Sequence, residues 1–72
     1  MQPNQTETKK DSLELALEEL SEELRLPLVM YYFDGQSVKT IAERLNISGP
    51  AVYLKLRNAT KQLHELLTGR EI

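Results

Sequence analysis

The residues best suited to chemistry lie between positions 39 and 61, and the chemistry is recognition of nucleic acid. Lys55, Arg57 and Asn58 fall within one turn of a common segment. Their side chains donate to phosphate oxygens or to base edges, and an Asn amide pairs well with adenine. Beside them, Leu54 and Ala51 can contact the methyl group of thymine. Lys39, Arg44 and Lys61 add positive charge at positions suited to the DNA backbone. With Ser48 and Tyr53 these make ten candidate DNA contacts. For each cation the plain alternative is an ordinary solvated surface charge.

Such residues act only if something holds them outward, and residues 37–56, SVKTIAERLNISGPAVYLKL, read as a helix-turn-helix. A short amphipathic helix runs from Val38 to Leu45, followed by the turn Asn46-Ile47-Ser48 and a second helix with Val52 and Leu56 facing inward. Ala42 is small where the helices cross, and Ile47 plugs the corner between them. A helix presented this way fits the DNA major groove. Ser37 and Ser48 are suited to cap the two helices, and Asn46 tolerates the left-handed backbone that a tight turn demands. Pro50 is tolerated in a first helical turn.

Two helices precede the motif. Leu13, Ala16, Leu17 and Leu20 recur at helical spacing, which predicts a helix near 12–20 with Asp11 or Ser12 at its start. Ser21 is placed to cap a second helix near 22–33, with Glu22 and Glu23 favourably sited in its first turn. Leu24, Leu28, Tyr31 and Tyr32 give it an apolar face. Pro27 should bend this helix, or break it. Tyr31, Tyr32 and Phe33 read as core and interface. Asp34-Gly35 ends the segment. Val52, Leu56, Ala59, Leu63 and Leu66 form the inner stripe of a last helix near 49–67, stopped by Thr68-Gly69. The fold expected is all-α, with four helices over residues 12–68, a disordered tail or linker over 1–11 and a short tail over 69–72.

Charge is divided along the chain. Residues 1–35 carry eight acids and three bases, a balance of −5, whereas residues 36–72 carry six bases and three acids, a balance of +3, for a total of −2. A basic C-terminal half that meets phosphate and an acidic half turned elsewhere would account for this, and acids favouring early helix turns explain part of it. No cysteine is present, which excludes disulfides and thiolate metal sites. No segment is apolar enough to span a membrane, and residues 1–12 do not resemble a secretory leader, so a cytoplasmic location is expected. His64 is the only histidine. It has no nucleophile beside it and no phosphate-cradling glycine loop accompanies it, so no enzyme, metal or cofactor is expected.

Taken together, Leu20-Ser21-Glu22-Glu23-Leu24-Arg25, Tyr32-Phe33-Asp34-Gly35, Ser37 and Ile41-Ala42-Glu43-Arg44-Leu45-Asn46-Ile47 resemble region 4 of an extracytoplasmic-function sigma factor. In that family an L-P-E-x-x-R-like start, a Y-F-x-G ending, a serine cap and I-A-x-x-L-x-I stand in this order. The resemblance covers about residues 12–67. It implies a four-helix domain whose last helix binds the −35 element of promoters in double-stranded DNA. It also implies docking on the flap of the RNA polymerase β subunit and masking by an anti-sigma factor. Seventy-two residues leave no room for the module that reads the −10 element.

The likeness thins where DNA is read. The family usually carries G-T-V-K-S-R-L-x-R-A-R, against Pro50-Ala51-Val52-Tyr53-Leu54-Lys55-Leu56-Arg57-Asn58-Ala59-Thr60 here. Val52, Leu56 and Ala59 keep the framework. Lys55 keeps a charge but lacks the guanidinium fork. Ala51 lacks a hydroxyl, while Tyr53, Leu54, Asn58 and Thr60 replace polar or basic groups. Ala51-Val52-Tyr53 is also similar to small sigma-4-like accessory proteins of the signal-recognition operon. Two functions therefore stand open: a promoter-recognition module, and an accessory or protein-interaction module anchored by Tyr53 and Leu54 with weak or no DNA binding.

Overall fold

The computed structural model describes residues 12–71, which form four helices and, among the described residues, no strand. They are α1 (Ser12–Glu19), α2 (Glu22–Tyr32), α3 (Val38–Leu45) and α4 (Gly49–Glu71). The tail expected over residues 1–11 lies outside the described residues. The longest helix, α4, packs against each of the other three. Leu20, Leu28, Ile41, Val52, Leu56 and Ala59 are buried together as one core. Ile41 and Val52 are wholly enclosed, each contributing about 1.5–3 kcal/mol from burial of its side chain.

The turns are fixed by local chemistry. The Thr40 N–H donates to Ser37 Oγ at 3.1 Å and the Ala51 N–H to Ser48 Oγ at 3.2 Å, so two of the three expected serine caps form. Ser21 stands at the start of α2 without a side-chain cap bond. Its carbonyl instead accepts from the Leu24 and Arg25 N–H groups. The Arg25 guanidinium reaches back to the end of α1, donating to the Leu20 carbonyl at 3.2 Å. It thereby satisfies a carbonyl that a helix end leaves without an internal partner.

One open alternative on the elements is settled and two expectations are corrected. The helix α2 runs through Pro27 unbroken, with the proline buried. The ring removes only the donor that would have met the Glu23 carbonyl one turn earlier, and the ring itself is buried. Tyr31, Tyr32 and Phe33 do not enter the core: the latter two remain 61% and 58% exposed, because Leu28 already fills the inner position of α2. Finally, α4 does not stop at Thr68-Gly69 but continues to Glu71. Gly69 keeps a negative φ, unlike Gly35 at +70°, and a glycine in helical conformation costs only about 1 kcal/mol.

Candidate nucleic-acid interface

The joint between α3 and α4 is built from the last turn of α3 and the segment Asn46-Ile47-Ser48. Asn46 adopts φ 60°, ψ 45°, the left-handed conformation that Asn accepts more readily than other residues with a side chain. That single twist lets the Ile47 N–H donate to the Ala42 carbonyl at 3.0 Å and the Asn46 N–H to the Glu43 carbonyl at 3.3 Å. This pair of bonds is the Schellman closure, which normally brings an apolar contact with it. Ile47 supplies that contact by packing on the core beside Ala42 and Leu45. Ser48 then caps α4. The N-terminal turns of α4 are thus aimed away from α3 by bonds the sequence SVKTIAERLNIS encodes directly.

Along α4 the inner stripe is Val52, Leu56 and Ala59, all buried. The opposite face carries Pro50, Leu54, Arg57 and Lys61, spaced by three or four residues and therefore aligned. All four are exposed. From Pro50 to Lys61 this face is about 16 Å long at 1.5 Å per residue. Tyr53 lies on its flank, 63% exposed, and Leu54 is 56% exposed. Pro50, Tyr53, Leu54 and Arg57 together line a shallow notch. A neighbouring notch joins Tyr53 and Arg57 to Tyr31, Tyr32 and Thr60, where the two α2 tyrosine rings meet edge-to-face at 4.9 Å.

The ten sequence candidates divide accordingly. Tyr53, Leu54 and Arg57 are brought together on the outer face, with Lys61 one turn beyond. Asn58 is exposed one turn from Leu54, and Ala51 is half-buried at the edge of that face. Lys39 and Arg44 are exposed on α3. Ser48 is exposed, its hydroxyl oxygen already accepting from Ala51. Lys55 differs from expectation. Two residues from Arg57, it points roughly 200° away around the helix, and its ammonium lies 2.7 Å from a Glu23 carboxylate oxygen on α2. Its side chain is 23% exposed. The hydrogen bond from Lys55, then its charge, hold the Glu23 carboxyl below the ordinary carboxylate value. Lys39, Arg44, Arg57 and Lys61 have no ion-pair partner among the described residues.

Pro50 was not among the sequence candidates, although its position three and four residues before Tyr53 and Leu54 is the signal that places it on their face. A separate apolar groove, lined by Leu13, Leu17, Leu28, Tyr32, Phe33, Thr60 and Leu63, runs between α1, the end of α2 and α4. Thr60, which lines both this groove and the notch beside Tyr31 and Tyr32, contributes no free donor to them, since its hydroxyl donates to backbone carbonyls of Leu56 and Arg57.

The model of the family described as "Sigma-70, region 4" matches residues 10–63, most of the chain. No curated protein and no solved structure matches it.

Proposed function

We propose that this chain, which belongs to the sigma-70 region 4 family, recognises the −35 element of promoters as part of an extracytoplasmic-function type of sigma factor. The observation that carries this reading is the outward face of α4. A capped helix, held by a Schellman turn, presents Arg57, Lys61, Leu54 and Tyr53, its two cations having no ion-pair partner among the described residues. The N-terminal turns of α4 enter the major groove, where Arg57 addresses guanine and Asn58 adenine. Lys39 and Arg44 on α3, with Lys61, meet phosphates and fix the register. Nothing in this scheme uses Lys55, which stays on Glu23.

Docking on the core RNA polymerase, through the β flap, is part of the same proposal. The apolar groove from Leu13 to Leu63 suits an apolar helix of a partner, and an anti-sigma factor could cover the same side. Among the described residues no helix is long and apolar enough to cross a membrane. The test is titration of the chain with labelled −35-like and scrambled duplexes at about 50 mM salt, low enough to favour phosphate contacts. Binding to both, tighter to the former, is expected; binding to neither refutes the reading.

A second reading is favoured by one observation. The exposed aromatics of α2 continue onto α4 through the notch shared by Tyr31, Tyr32, Tyr53 and Arg57, and large exposed apolar patches mark interaction sites. On this reading the chain is a sigma-4-like accessory module that binds protein through Tyr53 and Leu54. Tyr53→Ala and Leu54→Ala separate the two. They change sequence preference if the first reading holds, and abolish partner capture while sparing DNA if the second does.

A further inference from the structure

Pro50, Tyr53, Leu54 and Arg57 form a feature with a chemical preference of its own. Three apolar side chains line a notch at the first two turns of α4, and a guanidinium without an ion-pair partner among the described residues sits on its rim. Tyr53 and Leu54 are more than half exposed, although nothing in the fold requires large apolar groups there: the core side of the same turns is already filled by Val52 and Leu56. The notch lies on the face that the preceding reading places in the major groove, and this inference rests on that reading. On a major-groove floor the only apolar group is the 5-methyl of a pyrimidine, and the best partner for an arginine is the O6/N7 edge of guanine.

We infer that this notch reads a pyrimidine 5-methyl group, that of thymine or of 5-methylcytosine, at a base pair next to a guanine held by Arg57. The dimensions agree. From the midpoint of Tyr53 and Leu54 to Arg57 is about 5 Å along the helix axis, between one and two base-pair steps of about 3.4 Å. A polar side chain at these positions would gain hydrogen bonds from any base edge. An apolar one gains only where water is displaced from a methyl group, so the notch discriminates by burial.

The experiment uses the 72-residue chain and a pool of duplexes randomised in the centre. Selected duplexes are expected to share a thymine beside a guanine on one strand. In the best of them, uracil replaces each thymine singly, and in a second arm 5-methylcytosine is compared with cytosine at the responsive position. One methyl group at that position should strengthen binding about fourfold, the effect of burying a single methylene-sized group. A gain in both arms means the methyl group itself is read; a gain with thymine alone narrows the ligand to thymine. Leu54→Ser and Tyr53→Ser, at exposed positions that the core does not need, should erase the difference. Lys61→Ala should weaken methylated and unmethylated duplexes equally. If the chain binds with steep salt dependence but no position responds to methylation, the notch inference is overturned while the DNA reading stands. If no duplex binds at low salt, both fall.

Discussion

Lys61→Ala and Lys55→Ala, six residues apart on one helix, should affect the salt dependence of DNA binding to different degrees. Each cation that neutralises a phosphate steepens the dependence of log affinity on log salt by about 0.9. Lys39, Arg44, Arg57 and Lys61 are exposed and have no ion-pair partner among the described residues. If Lys39, Arg44 and Lys61 meet phosphates while Arg57 holds a base edge, the slope is about −2.7, and affinity falls about 40-fold between 50 and 200 mM salt. Lys55 is excluded from this sum because its ammonium sits 2.7 Å from Glu23 and on another side of α4. Fluorescence anisotropy across a salt series measures the slope for each variant. Lys61→Ala should flatten it to about −1.8 and Lys55→Ala should leave it near −2.7. Equal flattening by both would show that Lys55 leaves Glu23 for phosphate, and the partition of cations drawn from the geometry would be wrong. Glu14→Ala and Glu18→Ala, on α1, should not weaken binding.

Further outcomes follow from the joints and the ion pair. Ala42→Leu should cost about 1–3 kcal/mol by overpacking, since Ala42 packs on the core beside Ile47, whereas Ala51→Leu should cost much less; thermal unfolding that shifts equally for both would show the faces to be misassigned. Ser37→Ala should cost about 1 kcal/mol and Ser21→Ala close to nothing, because only Ser37 makes its side-chain cap bond; urea midpoints distinguish them. The Glu23 carboxyl is held below its usual 4.5 by Lys55, so the pair's stabilisation is present above the unfolded value and is lost as pH falls through the lower folded one. Melts of wild type and Glu23→Gln should therefore differ at pH 7 and converge well below pH 4.5, and convergence that begins above that value would contradict the assignment.

The fold was readable because its signals are local. Serine caps at Ser37 and Ser48, the Asn46 turn and the 3–4 spacing of Val52, Leu56, Ala59, Leu63 and Leu66 all act within a few residues, and each falls where the sequence placed it. What misled was competition between elements. Tyr31 and Tyr32 satisfy the apolar pattern of α2, but Leu28 and the rigid Pro27 take the inner positions, and the tyrosines are left outside. Ser21 has the right residue type for a cap, yet the α2 start is held by its backbone carbonyl instead. Gly69 is a frequent terminator, but nothing beyond it in the described residues adopts the positive φ that would end the helix.

The site was legible as a face and not as a set of roles. Charge at position 55 is what the family pattern asks for, and sequence alone ranks Lys55 with Arg57. The acid that pairs with Lys55 lies thirty-two residues earlier, at Glu23, and the packing of α2 against α4 brings the two together. The consequence reaches the recognition chemistry. With Lys55 tied to α2, the outer face of the first turns of α4 holds one arginine among Pro50, Tyr53, Leu54 and Asn58. On the proposed reading, phosphate attraction comes largely from Lys39, Arg44 and Lys61, at the margins of the face, while its centre is apolar. Marginal cations give affinity that salt erodes, and an apolar centre gives discrimination that salt leaves intact. Raising salt should therefore weaken binding to every duplex while preserving the ratio between thymine and uracil sites, and a ratio that collapses together with affinity would show that the centre of the face does not read the bases.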